Sequence, residues 1–455
     1  MSKPSIPQGT RDFSAETVRK RNYILGKIKH VFELYGFQPL ETPAMENLET
    51  LMGKYGEEGD RLIFKILNNG LNDPKNQDKA KEGFEKLLEG KNSSLLTERA
   101  LKYDLTIPFA RYVAMNHGQL TFPYKRYQIQ PVWRADRPQK GRYREFTQCD
   151  ADVVGSTALM NEIELANIYH EVFSKLGLGD YRLKINSRKI LAALAEQCGS
   201  IDLLTTITIA IDKLDKIGLE KVMIELQQKG INDVQIQIIQ SYLNITGSNQ
   251  EKLQLVAEIL GKNSQAAEGI SELKFIIENA SKVNIDIDFT LARGLNYYTG
   301  SIFEVKAPAT VQMGSIGGGG RYDNLTGLFG VPNIPGVGIS FGVDRIYDVI
   351  EELQLFPKDL QVSTKALFFN MGEKESLAAY EVMQLLRHSG IACEMFHEPA
   401  KMDKQFKYAE KKNIAYAIII GSKEMAENNC IVKNLATGVQ ENMAIDKLKV
   451  ALQLN

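Results

Sequence analysis

The spacing of apolar and polar positions changes several times along the first 185 residues. Between Ser14 and Gly36 the apolar residues recur every three or four positions, which predicts one long helix that Ser14 caps and Gly36 ends. Residues 71–94 are polar and charged, and we expect a surface insertion there with one short helix. Two strand-like stretches follow between Tyr124 and Val154, on either side of a cationic segment.

The second half of the chain begins with a different pattern. Residues 186–280 show helical periodicity, as at Leu219, Val222 and Leu226. Strand-like sequence returns at 289–305, so the helical stretch is predicted to be an insertion into a β-containing core. After about Leu360, strands and helices alternate, which predicts a small α/β domain with some parallel pairing.

The second strand-like stretch has an unusual distribution of side chains over its two faces. Side chains alternate between the faces of a strand, so Phe146, Gln148, Asp150 and Asp152 share one face. An aromatic ring and three hydrogen-bonding groups would pack poorly in a hydrophobic core. They suit the floor of a polar ligand site, provided that the facing layer is open.

Composition and charge exclude several classes of protein. The formal net charge is −1, so contact with RNA or DNA must depend on local patches rather than on the overall charge. The four cysteines form no CxxC pair and the five histidines no HExxH motif, so no protein-ligated metal site is predicted. No apolar run reaches the length of a membrane span and the N-terminus lacks a signal-peptide pattern, so we expect a cytoplasmic protein.

The segment WRADRPQKGRYREF, residues 133–146, places five cations against two carboxylates. A solvated hairpin tip is the simplest interpretation, and a clamp for a polyanion is the alternative. Arg134, Arg144, Arg293 and Arg345 all lie beside strand-like sequence, and Phe146 is available to stack on a base. Since guanidinium groups bind phosphate through two parallel hydrogen bonds, these residues favour a nucleotide triphosphate as ligand.

The run from Gly317 to Gly320 does not fit a nucleotide-binding loop. It lacks the GxxxxGK[ST] pattern and does not open a helix within a βαβ unit. We therefore predict a glycine-rich strand to which another backbone or a ligand approaches closely.

At these residues the sequence resembles the histidyl-tRNA synthetases, a family of class II aminoacyl-tRNA synthetases. The family's motif 1, a helix and strand at the dimer interface, is matched by residues 16–46, and motif 2 by Tyr124–Val154. Motif 3 is matched by GVGISFGVDRI, and two histidine-specific stretches by LARGLNYYTG and GGGRYDNL. The resemblance implies an α/β (α+β) fold: a catalytic domain with an antiparallel sheet, a helical insertion, and a C-terminal α/β anticodon-binding domain.

The resemblance also implies domain limits and roles for individual residues. The catalytic core would span 1–185 and 281–358, the helical insertion 186–280 and the anticodon-binding domain 359–455. The residues implied to bind histidine are Asp104, Thr106, Gln148, Asp152, Tyr297, Tyr298 and Tyr322. Those implied to bind ATP are Arg134, Asp136, Phe146, Arg293 and Arg345, with Arg134 and Arg293 facing the α-phosphate as the catalytic pair.

Three positions depart from the family pattern. Asn296 stands where an aspartate is expected, and Asp152 and Asp344 stand where many members have glutamate. The charge is retained at the last two positions, but Asp152 reaches about one methylene less far into the pocket.

The implied reaction activates L-histidine with ATP to histidyl-adenylate and pyrophosphate, then transfers histidine to the 3′ end of tRNA(His). Mg²⁺ would be bound mainly through the ATP phosphates, with no metal ligands from the protein. We expect a homodimer that binds neither membrane nor DNA. The loop cations Arg137, Lys140 and Arg142 are expected to meet the tRNA acceptor end, whereas Arg134 and Arg144 are expected to lie on the strands and face ATP.

Two other functions are weighed against this one. The synthetase-like regulatory subunit of ATP phosphoribosyltransferase shares the core, but it generally lacks the C-terminal domain and the ATP-site arginines. A free-standing RNA-binding protein does not explain why Arg293 and Arg345 accompany Tyr297 and Tyr298. One group of lysines with two neighbouring aromatic residues suits either an RNA-binding stripe or a solvated helix face: Lys401, Lys404, Lys407, Lys411 and Lys412, with Phe406 and Tyr408.

Overall fold

The computed structural model describes residues 3–292, 297–357, 360 and 364–453. These residues form two compact units. One contains the first 13 residues and Lys20–Leu355, and the other contains Ser14–Arg19 and the chain from Phe356 on. The described part of the chain contains no helix that is both long enough and apolar enough to span a membrane.

The first long helix forms where the apolar periodicity predicts it. Helix α1 is Ala15–Leu34, and the backbone N–H of Thr17 donates to the Ser14 hydroxyl at its start. Gly36 follows its last turn with φ +79°, a left-handed conformation that glycine adopts without strain. The predictions of Ser14 as the cap and Gly36 as the end of the helix are confirmed.

The main sheet of the first unit has eight strands in the order β1-β5-β6-β11-β10-β9-β7-β8. Pairing is antiparallel except for the edge pairs β1–β5 and β7–β8. A three-stranded antiparallel sheet, β2-β4-β3, accompanies it. The strands of this unit are β1 Gln38–Pro39, β2 Met45–Asn47, β3 Lys65–Ile66, β4 Arg99–Leu101, β5 Tyr124–Trp133, β6 Glu145–Val154, β7 Arg182–Ser187, β8 Ile285–Ile287, β9 Ser301–Lys306, β10 Gly317–Arg321 and β11 Gly336–Gly342.

The glycine run is β10, a central strand of this sheet. A Cβ on Gly319 would lie 2.1 Å from the carbonyl oxygen of Gly338, and one on Gly320 would lie 2.6 Å from that of Ser301. Only glycine fits where the neighbouring backbones approach this closely. The prediction of a closely approached glycine-rich strand is confirmed.

The helices around the sheet agree with the remaining pattern. The insertion at 71–94 contains one short helix, α4, and the stretch from 188 to 279 is helical, with capping boxes at Ser248 and Asn232. Both belong to the first unit. The helices that follow α1 are α2 Leu48–Leu51, α3 Gly56–Arg61, α4 Gln77–Leu88, α5 Thr106–Asn116, α6 Met160–Lys175, α7 Arg188–Gln197, α8 Leu203–Ile211, α9 Leu214–Ile217, α10 Leu219–Gln228, α11 Asp233–Leu243, α12 Asn249–Leu260, α13 Ser264–Asn279 and α14 Val343–Glu352.

The second unit is the α/β domain that the alternating pattern predicts. Its five-stranded sheet has the order β13-β12-β14-β15-β16, in which β12 pairs in parallel with both β13 and β14. Its elements are β12 Ala366–Phe368, α15 Glu373–His388, β13 Cys393–Met395, α16 Met402–Lys411, β14 Tyr416–Ile419, α17 Ser422–Glu427, β15 Asn429–Asn434, β16 Gln440–Ala444 and α18 Ile445–Gln453.

Candidate active site

Two cavities that share part of their lining lie on one face of the main sheet. The larger has a volume of about 330 Å³, and the smaller about 60 Å³. Strand β6 supplies the floor of both, because the alternate residues Phe146, Gln148, Asp150 and Asp152 point into them. Cys149 and Ala151 are fully buried on the opposite face. The predicted division of this strand into a polar face and an apolar face is confirmed.

The smaller cavity collects the residues predicted to bind an amino acid. Its described lining includes all seven of them, from four separate stretches of chain: Asp104, Thr106, Gln148, Asp152, Tyr297, Tyr298 and Tyr322. The larger cavity collects four of the five residues predicted to bind ATP, namely Arg134, Asp136, Phe146 and Arg345. Arg134, Gln148 and Tyr298 line both cavities.

The fifth predicted nucleotide residue, Arg293, lies outside the described residues, as does Asn296. The described residues on either side, Leu291 and Tyr298, both line the larger cavity. The role of Arg293 therefore stays a prediction.

The carboxylate of Asp104 is fixed at the start of α5. It accepts hydrogen bonds from the Tyr55 hydroxyl at 2.9 Å, the Ile107 backbone N–H at 3.2 Å and the Tyr297 hydroxyl at 3.4 Å. Burial raises the pKa of Asp104, and the positive charge of Arg134 opposes that rise. The carboxylate is thus held rigidly, with a cation close by.

Asp152 is held by two buried partners. Its Oδ1 accepts the Tyr322 hydroxyl at 2.5 Å, and its Oδ2 lies 2.9 Å from Nη2 of Arg126. The antiparallel register places Arg126 directly opposite Asp152 on β5. The Arg126 guanidinium also lies over the Phe109 ring, 4.2 Å from its centroid. The ion pair is therefore enclosed on several sides.

Asp150 lies on the strand face predicted as the floor of a ligand site, but it is not among the residues implied to bind histidine. It lines the smaller cavity, and its Oδ1 has no hydrogen-bond partner among the described residues. Burial raises the pKa of Asp150 to about 7, with the nearby charge of Asp152 adding to the effect and that of Arg126 opposing it. The signal was present in the sequence, since alternation puts Asp150 on the same face as Gln148 and Asp152.

Arg126 and Ser340 were also missed. Ser340 lies opposite Asp150 on β11 and accepts a hydrogen bond from the Gln148 side chain at 3.3 Å. Extending the register of the hairpin from its loop would have placed Arg126 opposite Asp152. No local pattern identifies Ser340, because its contacts come from a strand nearly 200 residues earlier in the chain.

Arg134 lies where the two cavities meet. Its Nε donates to the Tyr103 carbonyl at 3.0 Å, and its guanidinium lies between the Tyr103 and Phe146 rings, 4.3 Å and 5.1 Å from their centroids. Arg345, at the far side of the larger cavity, donates to the carbonyls of Gly141 and Ser315. Both guanidinium groups are therefore oriented by backbone oxygens before any ligand arrives.

One expectation about the cationic segment is wrong. Strand β5 ends at Trp133 and β6 begins at Glu145, so neither Arg134 nor Arg144 belongs to a strand. Arg144 is not among the residues that line the larger cavity. Its guanidinium donates instead to the carbonyls of Asp136 and Gln8, because the N-terminal segment covers that side of the loop.

The predicted tRNA-contacting cations are on the same loop, and one of them, Arg142, also lines the larger cavity. Arg137, Lys140 and Arg142 are all exposed. Lys140 pairs with Glu352 at 3.1 Å, and Arg142 approaches Asp136 at 3.6 Å. In the second unit the aromatic neighbours of the α16 lysines are partly buried against an apolar cluster, with the Phe406 ring edge-on to Phe369. This packing favours a solvated face for that helix over a stacking surface.

Comparisons with known proteins agree with this geometry. The family model described as "Histidyl-tRNA synthetase" matches residues 85–346, and the one described as "Anticodon binding domain" matches residues 365–454. The chain is 52% identical to the histidine–tRNA ligase of Flavobacterium johnsoniae, with 99% of each chain covered.

Solved structures show the same similarity. The crystal structure of histidyl-tRNA synthetase from Nostoc sp. PCC 7120 superposes with a TM-score of 0.82, at 32% identity and with 100% of both chains covered. A Bacillus halodurans protein described as an ATP phosphoribosyltransferase regulatory subunit/histidyl-tRNA synthetase superposes with a TM-score of 0.73 at 18% identity, over 92% of this chain and 99% of that one. The second similarity concerns the fold alone.

Proposed function

The chain belongs to the histidyl-tRNA synthetase family, and we propose that it is an ATP-dependent ligase that joins L-histidine to the 3′ end of tRNA(His). The observation that carries the proposal is the pair of cavities with common walls. The smaller one is lined by carboxylates and tyrosines and the larger by arginines and an aromatic ring, and Arg134 borders both. An amino acid and a nucleotide bound in these cavities would meet at that guanidinium.

In the smaller cavity, Asp104 and Thr106 would hold the α-amino group of histidine, and Gln148 the carboxylate side. Asp152 and Tyr322 would engage the imidazole ring. A neutral imidazole has one nitrogen that donates and one that accepts, so an amino acid without these groups would leave buried polar atoms unpaired. Loss of such hydrogen bonds can give discrimination by factors of about 10⁴ or more without editing.

Asp150 would add a second carboxylate to this pocket. Its unpartnered oxygen lies on the same strand face as Asp152, two residues away. We propose that Asp150 helps to hold the ring or the ammonium group of the substrate. The ligand would then supply the hydrogen bond that this buried oxygen lacks.

In the larger cavity, Phe146 would stack on adenine, Asp136 would accept from its amino group and Arg345 would lie near the γ-phosphate. Arg134 would bind the α-phosphate, with Arg293 opposite it as the family resemblance implies. When the histidine carboxylate attacks the α-phosphorus, negative charge builds on the equatorial oxygens. Fixed guanidinium groups stabilise that charge without reorganising, and removing one such donor typically costs about 2.7–4 kcal/mol of activation free energy.

We propose that Mg²⁺ arrives with ATP. The described carboxylates that line the larger cavity are already paired with cations. Asp136 pairs with Arg142, Glu304 with Lys306, and Asp344 with Arg11 and Arg21. This donor set fits an ion that is held mainly by phosphate oxygens. When bound, the ion would neutralise part of the phosphate charge.

The tRNA contacts are proposed from the family and from exposure. Residues 365–454 match an anticodon-binding family. We propose that they belong to a domain at 359–455 that reads the anticodon. The exposed loop cations Arg137, Lys140 and Arg142 would meet the acceptor end. The helical insertion, residues 186–280, would clasp the acceptor arm. Along the sequence it separates the two parts of the proposed catalytic core, 1–185 and 281–358.

We further propose that the protein is a cytoplasmic homodimer. Motif 1 of the family forms the dimer interface, and Met45, within the matching residues, is 50% exposed. Met115, on α5, is 72% exposed. The elements that carry them are joined by an ion pair between Glu46 and Arg111 at 2.8 Å. Exposed methionines on a rigid surface suit burial against a second copy. Sedimentation of the purified protein tests the dimer.

The function is tested by histidine-dependent ATP–pyrophosphate exchange, followed by charging of total tRNA with each of the 20 amino acids. We expect exchange and charging with histidine alone. Arg134→Ala should lower the exchange rate by about 100- to 1000-fold, whereas Arg182→Ala, at an exposed position on β7, should leave it unchanged. A wild-type protein that binds histidine but supports neither reaction would be a regulator of the phosphoribosyltransferase kind, and the proposal would be wrong.

A further inference from the structure

The N-terminal segment packs against the outer side of the loop between β5 and β6. We call residues 7–13 the N-terminal strap. Its turn is closed by the Thr10 backbone N–H, which donates to the Pro7 carbonyl at 3.1 Å. The Gly9 carbonyl accepts from the backbone N–H of Arg144 at 2.9 Å, and the Gln8 carbonyl accepts from the guanidinium of the same arginine.

The strap requires glycine at its point of closest approach. Gly9 has φ +86°, and a Cβ there would lie 2.8 Å from Cγ of Arg144 and 2.9 Å from Cγ of Pro138. The left-handed backbone and the close contacts both exclude larger residues. This close packing indicates that the strap and the loop form one packed unit.

Arg11 connects the strap to the wall of the larger cavity. Its guanidinium carbon lies 3.2 Å from the centroid of the Tyr143 ring, and its Nη2 donates to Oδ1 of Asp344 at 2.5 Å. Tyr143 and Asp344 both line the larger cavity. Arg11 itself does not line it, so the strap supports these two residues from behind.

A second arginine completes the arrangement. Arg21, on α1, donates to the same oxygen of Asp344 and to the Thr147 hydroxyl, at 2.5 Å and 3.1 Å. The Phe13 ring lies beside both guanidinium groups, 4.9 Å from that of Arg11 and 4.4 Å from that of Arg21. Cations stacked on aromatic rings and paired with a mostly buried carboxylate have few alternative positions.

The loop is also held from the cavity side. Arg345, the residue after Asp344, donates from Nε to the Gly141 carbonyl at 2.8 Å. Two residues further along, Tyr143 is held by Arg11. The loop is therefore clamped between a nucleotide-site arginine on one side and the strap on the other.

We propose that Arg11 is a positioning residue for the ATP site, which acts by fixing Tyr143 and the loop of residues 134–144 in the geometry that receives the nucleotide. The inference rests on the proposed function. Without Arg11 the loop must be ordered by ATP itself, and that ordering lowers the affinity for the nucleotide. The hydrogen bonds and ring contacts given above for the strap reach none of the described residues that line the histidine pocket, so the pocket should keep its affinity.

The experiment measures KM for ATP and for histidine separately in pyrophosphate exchange. Arg11→Ala should raise KM for ATP by about 10- to 100-fold, since displacements near 1 Å have effects of this size, with KM for histidine within about twofold. Arg11→Lys keeps the charge beside Asp344 but loses the planar stack on Tyr143, so it should be intermediate. Arg182→Ala is the matched control, an exposed arginine outside the strap.

A double-variant cycle separates positioning from a general loss of stability. Tyr143→Ala should raise KM for ATP in a similar way, and combining it with Arg11→Ala should add little, because the two side chains act through one contact. Fully additive effects, or equal rises in both KM values, would overturn the proposal. If Arg11→Ala does not fold, Arg11→Lys and Tyr143→Ala decide the question by the same criterion.

The two proposals fail in different ways. Absence of exchange in the wild-type protein would refute the proposed function. Normal exchange with an unchanged KM for ATP in the folded variants would refute only the role of Arg11.

Discussion

Gly338→Ala gives a sharp test of the histidine pocket. Gly338 lies on β11, directly opposite Asp152 on β6. A Cβ built on Gly338 would be 1.9 Å from Oδ1 of Asp152, 2.5 Å from its Cγ and 3.1 Å from the Ala151 carbonyl oxygen. Non-bonded contacts of a real Cβ are essentially never shorter than 3.0 Å, so the carboxylate must move by at least about 1 Å.

The Asp152 carboxylate has little freedom to make that movement. One oxygen accepts the Tyr322 hydroxyl at 2.5 Å, and the other lies 2.9 Å from Arg126. The residue is 2% exposed, so no solvent replaces a lost partner. Overpacking of this kind typically lowers the free energy of unfolding by about 1–3 kcal/mol.

The catalytic effect should be larger for histidine than for ATP. A displacement of about 1 Å in a positioned group can lower a rate about 100-fold, which corresponds to about 2.7 kcal/mol. We therefore expect kcat/KM for histidine to fall about 100-fold in pyrophosphate exchange. KM for ATP should be nearly unchanged, because Gly338 does not line the larger cavity.

Gly179→Ala is the control for this substitution. A Cβ on Gly179 has no heavy atom within 4 Å, so that variant should match the wild type in both stability and exchange. If Gly338→Ala folds and keeps kcat/KM for histidine within about threefold of the wild-type value, Asp152 does not recognise the substrate in the way proposed.

Three further predictions concern charge. Glu162→Gln removes the buried carboxylate that binds Arg321 at 2.6 Å and 2.7 Å. Urea unfolding should show that the free energy of unfolding falls by about 3–5 kcal/mol, and an unchanged urea midpoint would contradict this. The pKa of Asp150 is raised from an ordinary value of 3.8 to about 7, so its contribution to stability is present below pH 4 and is lost as the pH rises through 7. In thermal unfolding, Asp150→Asn should therefore be more stable than the wild type at pH 8 but not at pH 4. A variant that is less stable than the wild type at pH 8 would show that the structure stabilises the carboxylate as an anion. Removing Mg²⁺ with EDTA should abolish exchange and leave calorimetric binding of histidine alone unchanged, whereas loss of histidine binding would argue against an ATP-borne ion.

Local sequence determined much of the secondary structure and part of the site. The apolar spacing gives α1, the helices between 188 and 279, and the alternating elements of the second unit, because each period is a property of neighbouring residues. The same reasoning put Phe146, Gln148, Asp150 and Asp152 on one face of β6. The family resemblance then selected eleven of the described residues that line the two cavities. Arg293, which it also selected, lies outside the described residues.

The tertiary structure decided what depends on distant parts of the chain. Arg126 becomes part of the site through the register of β5 with β6, and Ser340 through β11, which pairs with the other side of β6. Arg144 faces the N-terminal strap rather than the cavity, and nothing within its own segment specifies that contact. Alternation and helical spacing fix the direction of a side chain relative to its own element. The partner that it meets is fixed only when separate elements pack together, and for Ser340 and Arg144 those partners lie more than 100 residues away along the chain.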